Sequence, residues 1–347
     1  MIFERVAPEQ HDTLPDIPEP AENPHLHGHG QAADSLASAY RSGKLHHALL
    51  VTGPQGIGKA TFAFHLAHHV LKHPDAAGAP ETFAAPDPAS SLFRLVAQGA
   101  HPGVLHLNRP ARDDGKGFKT VVTVDEVRRV NRFLSMTAHD GGYRIVIVDP
   151  ADDMNISAAN ALLKNLEEPP ARSLFILISH QPGRLLPTIR SRCQVVRLSP
   201  LPQDLLRVIL RGLGAAVPEA AGLADRAGGS ARNAILLIQY GGLEIANVID
   251  RLAGGKKLDI AQAHKLADAV SGREQSIQFD IFNRHVLDII AAAAGRVAAA
   301  DGLGEADRLS ALWQETGKTI TETETYNLDK KQHVLGLLHR LHAAMNR

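Results

Sequence analysis

The stretch Ala48-Leu49-Leu50-Val51-Thr52-Gly53-Pro54-Gln55-Gly56-Ile57-Gly58-Lys59-Ala60-Thr61 decides the fold. Its first five residues are the short apolar run of a strand buried on both faces, and they feed a glycine-rich turn followed by a helix over Thr61 to Leu71. From Gly53 to Ala60 the spacing is that of a phosphate-cradling P-loop except at the last position, where a serine or threonine belongs. Gly53, Gly56 and Gly58 let successive backbone amides face one phosphate. The helix N-terminus favours an anion, and Lys59 has the length to reach terminal phosphates. The plainer reading is a glycine turn between a strand and a helix.

Two positions argue against hydrolysis at this loop. Ala60 has no hydroxyl to ligate magnesium, and Thr61 stands one residue late, which on a helix turns its side chain away by about 100°. A second apolar run, Arg144-Ile145-Val146-Ile147-Val148, ends in the carboxylate of Asp149. The following residue is Pro150, which cannot polarise water. Nucleotide binding stays open on these residues, whereas efficient hydrolysis is disfavoured.

Further strands are predicted at Val104 to Leu107, Leu174 to Ile178 and Gln194 to Leu198. They alternate with helices at Ser91 to Ala97, Val124 to Ala138 and Ile156 to Glu168, the last stopped by Pro169-Pro170. This alternation predicts an α/β fold with a parallel sheet covered on both faces. After Pro200 the strand signals cease, and Leu201 to Met345 reads as helical, with Gly241-Gly242 as the joint between two helical parts. The expected organisation is therefore a flexible arm over residues 1–33, the α/β domain over 34–200, and helical domains over 201–240 and 241–347.

Composition removes several function classes. A chain of 347 residues with 44% hydrophobic and 21% charged residues is ordinary for a globular protein of two or three domains. Met1 to Pro20 is acidic and proline-rich without an apolar segment, so a secretory signal and a membrane anchor are not expected and the cytoplasm is. The single cysteine, Cys193, excludes a disulfide framework and a four-cysteine zinc module. Basic and acidic residues balance at 37 each and aromatics reach only 4%, which supplies neither the field nor the stacking surface of a stand-alone nucleic-acid binder. His25, His27 and His29 alternate, and His65, His69 and His73 recur every four residues. Spacing alone does not close a metal geometry, so no metal is expected.

The stretch Asp149-Pro150-Ala151-Asp152-Asp153-Met154-Asn155, with Ala158-Ala159-Asn160-Ala161-Leu162-Leu163-Lys164-Asn165-Leu166-Glu167-Glu168-Pro169-Pro170 after it, resembles bacterial clamp-loader subunits of the AAA+ superfamily. Leu186-Pro187-Thr188-Ile189-Arg190-Ser191-Arg192-Cys193 is similar to that family's Ser-Arg-Cys motif, and Gly228-Gly229-Ser230-Ala231-Arg232 to its sensor-2 region. The likeness covers about Asp34 to Tyr240 and is nearest to the branch that tolerates a degraded ATP site. It implies an AAA+ P-loop module, a small helical lid and an all-α C-terminal collar. It further implies a place in a hetero-pentamer of clamp-loader subunits that puts a sliding clamp on primed DNA.

By the same resemblance Arg192 is an arginine finger acting in trans on a neighbour's ATP, where its delocalised charge would offset charge developing in phosphoryl transfer. The alternative for Arg192 is a local salt bridge. Ser179 takes the sensor-1 position or satisfies turn amides at a strand end. Arg232 contacts bound phosphate or lies on a solvated helix start. Together with Gly53, Gly56, Gly58, Lys59, Thr61 and Asp149 these residues define a degenerate ATP or ADP site for which no cofactor is required. The family's zinc module is absent between Leu71 and Val104. Rival readings are an active ATPase motor, in which Thr61 rescues the metal, and a P-loop kinase, for which no acceptor-binding set is evident.

Overall fold

The computed structural model describes residues 4–115, 117–135, 142–213, 226–300 and 302–346. These divide into two compact units, residues 1–232 and 233–347. Among the described residues no helix is long and apolar enough to cross a membrane.

The first unit is built on five strands: β1 (Ala48–Thr52), β2 (Val104–Leu107), β3 (Arg144–Val148), β4 (Ser173–Ser179) and β5 (Gln194–Arg197). They lie in the order β2-β3-β4-β1-β5, and every pairing is parallel. This is the predicted α/β sheet, with the P-loop strand between β4 and β5. All residues of β1 and β4 are buried, as continuous apolar runs require when helices cover both faces.

Because side chains alternate along a strand, the sheet splits its apolar residues between two cores. Leu49, Val51, Ile145, Ile147, Ile176 and Ile178 pack with helices α1 (Gly30–Arg41) and α2 (Lys59–Lys72), through Leu36, Tyr40, Phe62, Leu66 and Val70. Leu50, Val146, Val148, Phe175 and Leu177 face the other way. They meet Val127 and Val130 of α4 (Val124–Ser135) and Leu162 and Leu166 of α5 (Ile156–Glu167). The predicted helix at Ser91–Ala97 is α3. Helix α4 reaches Ser135, and residues 136–138 of its expected span lie outside the described residues. Helix α2 starts two residues earlier than expected, because Gly58, at φ 99°, already turns the chain into it.

Residues 4–29, expected as a flexible arm, are instead tied into the first unit. The Glu22 carboxylate accepts from the backbone amides of Val6, Ala7 and Glu19 at 2.9, 3.1 and 2.9 Å. Glu19 accepts from Gln10 Nε2 at 3.2 Å and Thr13 Oγ1 at 2.5 Å. Arg5 donates to the carbonyls of Leu14 and Ile17 at 2.7 and 2.9 Å. Ala21 joins the core beside α2. The segment is organised by charged side chains bonding backbone, which leaves no apolar periodicity to read in the sequence.

The short α6 (Pro187–Arg190) precedes β5, and α7 (Gln203–Gly212) and α8 (Ala231–Gln239) follow it. Residues 214–225 of the expected lid lie outside the described residues. The division between units falls after Arg232, whereas the sequence placed the helical joint at Gly241-Gly242; Gly241, at φ 72°, starts α9 (Gly242–Gly254). The second unit continues with α10 (Ile260–Val270), α11 (Ser276–Ala299), α12 (Leu303–Tyr326) and α13 (Lys330–Met345), all helical as predicted. Phe279, Phe282, Val286, Ile290 and Ala293 are spaced by three and four residues and form the buried stripe of α11. In its interior His333 bonds Thr323 Oγ1 at 3.0 Å and Asn283 Oδ1 at 2.9 Å, which satisfies the buried imidazole.

Candidate functional site

Strands β1, β3 and β4 end side by side, so their carboxyl ends bring the P-loop, Asp149 and Ser179 to one crevice. Gly53 leaves β1 at φ 149°, and a Cβ there would stand 2.5 Å from the Leu198 carbonyl oxygen. Gly56, at φ 77°, is approached so closely by Ser230 and Arg232 that any side chain would collide with them. The Arg232 amide also donates to the Gly56 carbonyl at 3.2 Å. The glycines thus admit neighbouring chain segments as well as amide-lined curvature.

Lys59 is 3% exposed, and its Nζ donates to the carbonyls of Gly53 at 2.7 Å and Pro54 at 2.5 Å. Its ammonium is curled onto its own loop. Burial lowers its pKa to about 8, against the opposing pull of Asp149 and Asp152. Burial likewise raises the Asp149 carboxyl to about 7, with Asp12 adding to the rise and Lys59 opposing it. Ala60 packs against the sheet core beneath the loop, and Thr61 lies half-buried one residue further along α2.

Ser179 is fully buried and its Oγ donates to Asp152 Oδ1 at 2.6 Å. Asp152 Oδ2 accepts from the amides of His180 at 2.5 Å and Gln181 at 3.2 Å. In this arrangement Ser179 buttresses a carboxylate that in turn fixes the chain leaving β4. Asp152 was not singled out from the sequence, and only the parallel pairing of β3 with β4 brings residue 152 to residues 179–181. Arg109 Nε donates to Asp153 Oδ2 at 2.6 Å nearby. The His180 imidazole is pushed down to about 3 by burial first, then by Lys59, and is neutral.

Arg232 Nη1 pairs with Asp12 Oδ2 at 3.5 Å. His29 sets a ring nitrogen 2.8 Å from the Ile57 carbonyl of the P-loop, and His65 bonds the Asn23 carbonyl at 3.0 Å. These two histidines therefore join chain segments. Among the described residues no three His, Cys, Asp or Glu side chains are grouped to hold a metal ion. The structure brings together Gly53, Gly56, Gly58, Lys59, Asp149 and Arg232, with Ser179 reaching the group through Asp152.

Arg192 stands elsewhere. It follows α6, donates to the Thr188 carbonyl at 3.0 Å and pairs with Glu167 at 2.5 Å. It lines an open hollow of about 440 Å³ together with His46, His47, Cys193 and Gln194. Since Gln194 is level with Leu49 at the start of β1, Arg192 flanks the end of the sheet opposite the P-loop. Four to six residues of strand at about 3.3 Å each separate it from Gly53 by roughly 13–20 Å.

Asp149 gives a pH test. A carboxyl raised on folding contributes stability that is present at low pH and is lost as pH rises through its folded pKa. The wild-type chain is expected to lose stability between about pH 4 and 7, where the carboxyl of the unfolded chain ionises while the buried one still holds its proton. Asp149→Asn should flatten that part of the profile, measured as urea midpoint against pH. Parallel profiles for the two proteins would count against it.

The family described as DNA polymerase III, delta subunit, matches residues 28–202. The DNA polymerase III subunit delta' of Pseudomonas aeruginosa is 44% identical over 157 residues, covering 45% of this chain and 44% of that protein. Its counterpart in Escherichia coli K12 is 35% identical over 171 residues, covering 49% and 48%. The DNA polymerase III subunit gamma of Buchnera aphidicola is 26% identical over 212 residues, covering 59% and 54%. The chain spans about half the length of the curated relatives it matches. A solved structure of a gamma subunit-related protein from Thermotoga maritima is 16% identical with a TM-score of 0.43, covering 89% of this chain and 99% of that one.

Proposed function

Because this chain belongs to the DNA polymerase III, delta subunit, family, we propose that it is a delta-prime-like subunit of the DNA polymerase III clamp loader. In this reading it acts in the cytoplasm within a hetero-pentamer, holds a fixed position without hydrolysing ATP itself, and presents Arg192 to ATP bound by a neighbour. The assembly places the sliding clamp on primed DNA while other subunits turn over nucleotide. The P-loop binds ATP or ADP without efficient hydrolysis, and neither a cofactor nor zinc is required.

The observation that carries this reading is the placement of Arg192 at the sheet end opposite the chain's own P-loop. A guanidinium separated from its own loop by several strand residues has no route to a phosphate held there. Presented at an edge, it is available to a phosphate held by another subunit. Ala60 and Pro150, where a metal-binding hydroxyl and a water-polarising group belong, support the non-hydrolysing part.

Reconstitution with gamma-type and delta subunits, reading nucleotide occupancy and hydrolysis together, tests the proposal. The isolated chain should show no turnover, and Lys59→Ala in this chain should leave DNA-stimulated hydrolysis by the assembly unchanged. Turnover by the isolated chain that vanishes with Lys59→Ala would establish an active motor subunit instead.

A further inference from the structure

We propose that residues 4–29 form a strap that closes the P-loop crevice, the Asp12 carboxylate occupying at Arg232 the place that a nucleotide phosphate would take. This goes beyond the function proposed above and is independent of any assembly, because it concerns what the crevice of the chain alone can admit.

Four features carry the inference. First, Arg232 is fixed against the P-loop by its own backbone, with its amide on the Gly56 carbonyl. Its guanidinium is thus a cation at the mouth of an anion cradle, and the anion paired with it is Asp12 of the strap, at 3.5 Å. Second, the charge of Asp12 is felt deep in the crevice, where it opposes ionisation of Asp149. Burial acts to raise the Asp12 pKa, but Arg232, His11 and His180 outweigh it and hold the carboxyl below its ordinary value. The strap therefore delivers a carboxylate anion, the charge type that the crevice would otherwise take from phosphate.

Third, Lys59 Nζ is held by the Gly53 and Pro54 carbonyls of its own loop, so the charge of the strap meets the crevice at Arg232. Fourth, the strap is folded around Asp12. Glu19 and Glu22, which follow Asp12, gather Val6, Ala7 and Gln10 before it and Thr13 beside it into a folded unit. Further along, Asn23 and His29 bond His65 of α2 and Ile57 of the P-loop itself. A segment with this many fixed points holds Asp12 in register and is not a loose tail.

The experiment titrates the full-length chain with N-methylanthraniloyl-ADP followed by fluorescence, and with unlabelled ADP as competitor. Asp12→Asn keeps the shape of the side chain and removes its charge; Asp12→Ala removes both. Each variant is expected to bind ADP up to about fivefold more tightly than wild type, the scale of one partly exposed ion pair that no longer has to be displaced. Adding Lys59→Ala to Asp12→Asn should abolish the gain, which assigns the new affinity to the P-loop. Hydrogen exchange of the Val6 and Ala7 amides should accelerate when wild type is held at saturating ADP. Equal affinity in wild type and both variants overturns the proposal. So does a gain that survives Lys59→Ala, or failure of all the proteins to bind ADP. A urea midpoint for Asp12→Asn within the wild-type range guards against a trivial loss of fold.

Discussion

Arg192→Ala in this chain is expected to lower DNA-stimulated ATP turnover of a reconstituted clamp loader by about a thousandfold at the active site it serves, the lower end of what an arginine finger contributes. The expected loss is in turnover at saturating ATP, because a guanidinium aimed at the transferring phosphoryl group acts on charge that develops in the transition state. Arg192→Lys should fall nearly as far, since an ammonium cannot offer the planar, forked donors. Stability of the chain should barely change. Arg192 is paired with Glu167 at a partly exposed site, and such pairs contribute about 0–1 kcal/mol. Both sides of the comparison are measurable on one preparation: steady-state hydrolysis by the assembly, and the urea midpoint of the subunit. Unchanged turnover would leave Arg192 as the Glu167 salt-bridge partner and remove the trans-acting role.

How far these features were legible depended on whether they are local. The buried strands were legible because a parallel strand covered on both faces writes its burial into every residue, as Leu49 to Val51 and Leu174 to Ile178 do. The P-loop was legible because its glycines and lysine sit within one turn. Asp152 was not, because its meaning lies in three donors on Ser179, His180 and Gln181, which only sheet pairing brings to it. The strap was missed for a different reason. Its order comes from Arg5 and Glu22 satisfying backbone groups and Glu19 holding the side chains of Gln10 and Thr13, and such charges have the same composition as a solvated tail. For Arg192, chain order put it between β4 and β5, but its position at the far end of the sheet required the register of β5 against β1.

Gly53→Ala is expected to destabilise the chain by about 4 kcal/mol, the sum of two effects of about 1–3 kcal/mol each. One is conformational: at φ 149° the residue lies where L side chains are rarely found. The other is steric, since the added methyl would stand 2.5 Å from the Leu198 carbonyl oxygen. That oxygen belongs to the chain just beyond β5, and the Leu198 amide donates to the Thr52 carbonyl at 2.8 Å, so retreat would pull apart the β1–β5 pairing. A glycine retained only to admit a phosphate would make a different prediction. Alanine would then weaken nucleotide binding while the urea midpoint held, since no neighbouring backbone would need to move. A large drop in midpoint without nucleotide present therefore identifies a second reason for the P-loop sequence to persist in a site lacking the groups for hydrolysis. Gly53 is the point at which β1 leaves the sheet under the chain that follows β5, and a side chain there would damage the joint whether or not any phosphate ever arrives.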